Sequence, residues 1–215
     1  MGTEVDLVVP LKPPQVGKSR LRGALGCAPD DDTHAALVLA IAADTLAAAR
    51  AAARVRRVLV VAVDPQALAG LAELEVEIVR QPGGGGLNAA YRHGAELLRA
   101  DDPSVVIGAL QADVPALRPA ELDAALRDAD GRRAFVADRP GTGTTLLLSA
   151  AGGSLEPRFG VGSAYAHAES GARPIELEVP SLREDVDTAD DLAHAAALGL
   201  GKHTTALVED RCLAR

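Results

Sequence analysis

Tryptophan is missing from this chain, and two phenylalanines and two tyrosines make up its whole aromatic content, 2% of 215 residues. A base-stacking nucleic-acid surface is therefore not expected. Positive charge is also short: 22 lysines and arginines face 30 acids, for a formal net charge of -8. A protein that tracks a phosphate backbone is normally basic overall, so nucleic acid is not an expected partner. No apolar run approaches the roughly 20 residues that span a bilayer, and Met1-Gly2-Thr3-Glu4 leads straight into a strand instead of a signal peptide. The expectation is a cytoplasmic protein with no membrane partner. Cysteine is limited to Cys27 and Cys212, which in that compartment read as reduced residues rather than a disulfide or redox pair. None of the five histidines falls in a metal-like pair such as H-x-x-x-H, and no Ser/His/Asp signature stands out. Hydrolysis through a covalent nucleophile is unsupported.

What is present is core-forming material: 48% of the residues are hydrophobic, chiefly Ala, Leu and Val. Strand-like runs alternate with helix-like runs, the rhythm of βαβ units around a parallel sheet, which gives an α/β fold with flanking helices. Strands are expected at 5–12, 55–63, 76–80, from 105 toward Asp113, at 133–137, at 144–148 and at 175–179. Helices are expected from a Thr33 cap to about 53, in a short turn begun by Pro65, at 87–99, from Pro119, and at 188–198. One domain should cover 1–199, with 200–215 as a C-terminal tail. The Gly-containing stretch 150–163 reads as a long loop.

Asp113 is the residue on which function turns. The run Val105-Val106-Ile107-Gly108-Ala109-Leu110-Gln111-Ala112 delivers its carboxylate just before Pro115 stops the chain. Open α/β sheets bind ligands beyond the carboxyl ends of their strands, so an acid there is a candidate metal ligand. Taken alone, Asp113 also reads as a turn former, and Asp187 or Thr188 as a helix cap. Jointly, Asp113, Asp185 and Asp187 form a hard, oxygen-rich set suited to Mg²⁺-assisted phosphoryl or nucleotidyl transfer, provided the two turns meet.

Gly17-Lys18-Ser19 fails as a P-loop, because Lys12 stands where the first glycine is required. What survives is a loop carrying Lys12, Lys18, Arg20 and Arg22 after the first strand, a place where phosphates are embraced. Gly84, Gly86 and Ala89 fit a G-x-G-x-x-A fingerprint, but after the third strand and not the first. A glycine loop over a nucleotide, with Asn88 bonding base or ribose, stays open, as does an exposed turn. Thr142, Thr144, Thr145, Gly160 and Ser163 supply hydroxyls and free backbone suited to a small phosphorylated acid, or form an ordinary Gly-rich turn and cap.

The ordered segments Pro10-Leu11-Lys12, Lys18-Ser19-Arg20-Leu21, Leu87-Asn88-Ala89-Ala90, Leu110-Gln111-Ala112-Asp113-Val114-Pro115, Ala137-Asp138-Arg139-Pro140-Gly141-Thr142-Gly143-Thr144, Pro157-Arg158-Phe159-Gly160 and Asp185-Val186-Asp187-Thr188 resemble the CofC/FbiD family. These are guanylyltransferases of deazaflavin coenzyme (F-420) biosynthesis. The resemblance implies a single nucleotidyltransferase domain, Rossmann-like and of GT-A type, that joins GTP to phosphoenolpyruvate with Mg²⁺ and releases pyrophosphate. It places Thr144, Gly160 and Ser163 on the phosphorylated acid and Asp113, Asp185 and Asp187 on the metal. It places Lys18 and Arg20 near the GTP phosphates and Asn88 in the nucleotide loop; Lys12, in the same basic loop, is a further nucleotide-binding candidate. Lys18, Arg20 and Asp113 would carry the catalysis. The product would pass to a transferase that loads the deazaflavin precursor. 2-Phospho-L-lactate and 3-phosphoglycerate are alternative acids, a sugar-phosphate or molybdopterin nucleotidyltransferase is a neighbouring alternative, and a non-catalytic dinucleotide-binding module is the alternative of another class.

Overall fold

In a computed structural model, residues 3–15, 18–24 and 31–213 are described; Gly17 of the failed P-loop and Cys27 lie outside them. The chain runs β1 (Val5–Leu11), α1 (Asp31–Ala51), β2 (Val55–Ala62), a 3-10 segment (Pro65–Leu74), β3 (Glu77–Arg80), α2 (Gly86–Asp101), β4 (Val106–Leu110) and α3 (Pro119–Ala129). It continues with β5 (Ala134–Ala137), β6 (Thr144–Leu148), α4 (Ser163–Glu169), β7 (Arg173–Pro174), α5 (Pro180–Arg183), α6 (Ala189–Leu198) and α7 (Lys202–Leu213).

The seven strands form one sheet in the order β3-β2-β1-β4-β6-β5-β7. β1, β2, β3 and β4 run parallel, whereas β6 is antiparallel to both neighbours, β4 and β5. That reversal matters for the site. It brings the first residue of β6, Thr144, to the edge where β4 ends, and Gln111 N donates to Thr145 O at 2.9 Å across that edge.

Alternation along β1 explains the two layers. Val5, Leu7, Val9 and Leu11 face a core closed by α1 and α3, while Val8 faces the core that α2 closes with Ala90, Tyr91 and Leu98. A third, smaller cluster joins Leu21, Leu37, Ile41, Ala116, Val186 and Leu192. Its members alternate in sequence with the charged candidates: Leu21 follows the basic loop and Val186 separates Asp185 from Asp187. Burial of these two side chains draws both loops onto α1.

Several expectations are corrected. α1 starts at Asp31, where two acids complement the helix dipole, so Thr33 lies inside its first turn and does not cap it. By length and composition α1 is also long and apolar enough to cross a membrane, contrary to the sequence reading. In the fold its Leu37, Ile41 and Leu46 are buried, as in any core helix between a sheet and its neighbours. The expected strand at 175–179 is not one. Only Arg173 and Pro174 pair with β5, at the sheet edge, where a proline without an N–H is tolerated. Among the described residues after Gly199, Lys202–Leu213 is helical instead of a loose tail: α7 packs on α1, and buried Asp44 accepts from His203 N at 2.9 Å and Thr204 N at 2.8 Å.

Candidate active site

Asp113 sits three residues beyond β4, and the peptide group that joins it to Val114 is held at both ends. Val114 N donates to Thr45 Oγ1 of α1 at 3.1 Å, and Asp113 O accepts from Val186 N at 2.9 Å. The second bond is the meeting of the two acidic turns. Thr188 then starts α6 with a capping box, its side chain accepting from Asp191 N while Asp191 Oδ2 accepts from Thr188 N. The Asp185–Asp187 turn is thus anchored at Val186 and at its exit.

Lys18 bridges the turns. Its ammonium donates to Asp113 Oδ2 and to Asp187 Oδ1, so three segments far apart in sequence converge on one point. Burial works against the charged ammonium, yet the Asp113 and Asp187 carboxylates outweigh it and hold Lys18 above its ordinary range. Asp185 shows the opposite balance. Burial, reinforced by the Asp113 carboxylate, overrides the attraction of Lys18 and pushes its carboxyl up to about 7. The remaining oxygen of Asp113, Oδ1, is buried with no partner among the described residues.

A carboxylate oxygen buried without a donor is costly unless a ligand completes it. The donor set is all-oxygen and anionic, which suits a hard divalent cation and not a thiolate- or imidazole-loving one. By donor chemistry Asp113, Asp185 and Asp187 could hold a magnesium-type ion, but Lys18 bridges two of them here and their oxygens do not all lie within 4.8 Å of one another, as ligand atoms of Glu184, Asp191 and His194 do. The three aspartates line a cleft of about 480 Å³ with Lys12, Lys18, Arg20, Leu87 and Gln111. Lys12 and Arg20 are exposed and make no ion pair among the described residues, so both cations are available to an anionic ligand.

Thr144, Ser163 and Gly160 form a second group at the same sheet edge. Ser163 Oγ donates to Thr144 Oγ1 at 3.3 Å, and Ala164 N donates to Thr142 O at 3.1 Å, which ties the start of α4 to the β5–β6 loop. Gly160 is exposed with φ 142°, a conformation that disfavours any side chain. These three residues are not on the wall of the cleft shared by the aspartates.

Asn88 is placed differently from the expectation of a nucleotide contact. Its Nδ2 donates to Phe159 O at 2.9 Å and its Oδ1 accepts from Phe159 N at 2.8 Å, so both ends of the amide hold the 157–160 loop. Phe159 also stacks on Tyr91, ring centroids 4.5 Å apart. Of the glycine fingerprint, Gly84 lies exposed before α2, Gly86 opens that helix and Ala89 is half-buried inside it, beside edge strand β3 and away from the position of a dinucleotide loop after β1.

Two residues were passed over in the sequence. Asp138 accepts from Thr142 N and Gly143 N, each at 2.8 Å, and shapes the turn that delivers Thr144. His167 bonds Thr144 directly, Nδ1 to Oγ1 at 2.9 Å. The available signal was its i, i+4 spacing from Ser163, which puts both on one face of α4.

An open, mostly parallel sheet with acids and cations gathered at its carboxyl edge defines a nucleotidyltransferase-type α/β protein. The solved structures agree on the fold. A provisionally assigned nucleotide-diphospho-sugar transferase from Desulfovibrio desulfuricans G20 superposes with a TM-score of 0.69 at 16% identity, covering 97% of this chain and 98% of that one. A Methanothermobacter nucleotidyl transferase gives 0.56 at 20% identity, covering 92% and 98%. The chain belongs to the CofC-like guanylyl transferase family, whose model matches residues 5–210. Among its relatives, a phosphoenolpyruvate guanylyltransferase of Streptomyces scabiei is 50% identical over 206 residues, 93% of this chain and 94% of the relative. Another, from Salinispora arenicola, is 49% identical over 204 residues, 94% and 92% of the two chains.

Proposed function

We propose that this protein transfers the guanylyl group of GTP to phosphoenolpyruvate, releasing pyrophosphate and forming enolpyruvyl-diphosphoguanosine. The observation that carries the reading is the convergence of Lys18, Asp113 and Asp187 beside the unpartnered Asp113 Oδ1, in a family of guanylyl transferases. Asp113, Asp185 and Asp187 would hold Mg²⁺. When bound, that ion supplies charge neutralisation on the phosphates and polarises the reacting P–O bonds.

The chain's own residues supply position and charge. Lys12 and Arg20, at the rim of the cleft, bind the triphosphate as cations, and Lys18 adds a charge fixed in place by two carboxylates. Thr144, Ser163 and Gly160 receive the phosphorylated acid at the neighbouring end of β6. A phosphate oxygen of that acid forms a bond to the α-phosphorus of GTP, and the bond from that phosphorus to the β-phosphate bridging oxygen breaks, releasing pyrophosphate. The attacking oxygen is already anionic near neutral pH, so no protein base is required; alignment and electrostatics carry the step. The product then passes, in the cytoplasm, to a transferase that loads the deazaflavin precursor.

The test supplies GTP, Mg²⁺ and one acid at a time, with that transferase and the deazaflavin precursor, and identifies the coupled product by mass. Phosphoenolpyruvate should give the dominant product. A dominant product from 2-phospho-L-lactate or 3-phosphoglycerate would reassign the acid, and none from any of the three would overturn the reading.

A further inference from the structure

His167 is fully buried in α4, and both of its ring nitrogens are engaged. Nε2 lies 2.9 Å from the backbone N of Arg158. A backbone N–H only donates, so Nε2 must be the bare, accepting nitrogen. The proton of the neutral ring is then on Nδ1, and Nδ1 donates to Thr144 Oγ1 at 2.9 Å. Ser163 Oγ donates to the same oxygen at 3.3 Å. A hydroxyl has two acceptor sites and one donor hydrogen. With both acceptor sites filled, Thr144 keeps only its O–H for a ligand.

We propose that His167 is a positioning residue for the phosphorylated acid: it fixes Thr144 as an obligate donor, which selects an anionic oxygen of the substrate at that point, and it holds the Arg158–Gly160 loop through the Arg158 amide. This inference rests on the reaction proposed above. The ring environment is consistent with it. Phe159 meets the imidazole edge-on, centroids 5.0 Å apart, and Phe135 lies at 6.1 Å. Burial, with the Arg133 and Arg158 cations next in effect, pushes the ring down to about 4, so it stays neutral through the working range. A charged imidazolium would lose the Arg158 bond and release the loop.

The two bonds separate by substitution. In His167→Gln the side-chain oxygen can stand near Nε2 and keep the Arg158 contact, while the donor to Thr144 is lost. In His167→Asn the amide nitrogen stands near Nδ1 and keeps the donor. Steady-state pyrophosphate release is measured against phosphoenolpyruvate and against GTP, for both variants, Thr144→Val and the Thr144→Val/His167→Gln double variant. Expected is a rise in KM for phosphoenolpyruvate of about tenfold or more in His167→Gln, with KM for GTP unchanged. His167→Asn should recover most of that loss, and His167→Gln should add nothing once Thr144 is valine. The ¹⁵N spectrum of histidine-labelled protein should show the Nδ1–H tautomer for His167, whether or not substrate is present. An Nε2–H tautomer, equal rises in both KM values, or multiplicative losses in the double variant would overturn the role. Absence of phosphoenolpyruvate-dependent turnover in the unaltered protein would instead overturn the parent reaction, and this role with it.

Discussion

Asp185 and His167 are held off their ordinary protonation ranges in opposite senses, and each makes stability depend on pH. Asp185 is pushed up to about 7 by burial and the Asp113 carboxylate. Between the unfolded carboxyl range near pH 4 and pH 7 the folded chain holds the extra proton, so its contribution favours folding at low pH and is lost as pH rises through 7. His167 is lowered to about 4, so between pH 6.5 and 4 the unfolded chain holds the extra proton and stability falls on acidification. In metal-free thermal melts, Asp185→Asn should gain on the unaltered protein as pH climbs from about 4 to 7. A pH-independent difference would remove the burial argument. His167 and Asn88 also show what a single sequence conceals. The partners of Asn88 are backbone atoms 71 residues away, so a reading by residue type assigns its amide to a nucleotide when the fold uses it on a loop.

Among the elements, α7 depends on a residue it does not contain. The buried carboxylate of Asp44, 159 residues before His203, accepts from His203 N and from Thr204 N in its first turn. Two charge-assisted bonds in a buried setting imply that Asp44→Ala costs about 3 kcal/mol, read by urea unfolding, with early amide exchange at His203 and Thr204. Gly201 permits the approach, since an added Cβ would come within 2.3 Å of Asp44 Cγ. Gly201→Ala should cost roughly 1–3 kcal/mol by overpacking, and an unchanged urea midpoint would refute that contact. This long-range cap explains why the segment after Gly199 reads as a tail from sequence. Elements with local signals were legible: Pro119 opens α3 and Thr188 caps α6, as their residue types require. β7 was misplaced because the pairing with β5 ends with the bond from Ile175 N to Phe135 O at 2.8 Å, and Val179 is buried beyond it, so an apolar pattern stood in for pairing.

Across the whole molecule, the cationic loop and the acidic turns come together because apolar residues interleaved with them share a small core. Asp113 and the β-strand leading to it were readable from the sequence, as a carboxylate at a strand end. The bridging of Asp113 and Asp187 by Lys18 was not, because it depends on Leu21 and Val186 entering one cluster with Leu37 and Ile41. If the aspartates hold Mg²⁺, the ion stabilises the folded state by mass action, about 2.7 kcal/mol at a hundredfold excess over its dissociation constant. Thermal melts should therefore rise with Mg²⁺ in the unaltered protein and stay flat in Asp113→Asn.

Guanylyl transfer at the Asp113 site is read out as the yield of pyrophosphate from GTP. Release should occur only when GTP, Mg²⁺ and phosphoenolpyruvate are all present, and should fall by about a hundredfold or more in a folded Asp113→Asn variant. Release at a near-normal rate by that variant, or by the unaltered protein without phosphoenolpyruvate, would contradict guanylyl transfer at this site.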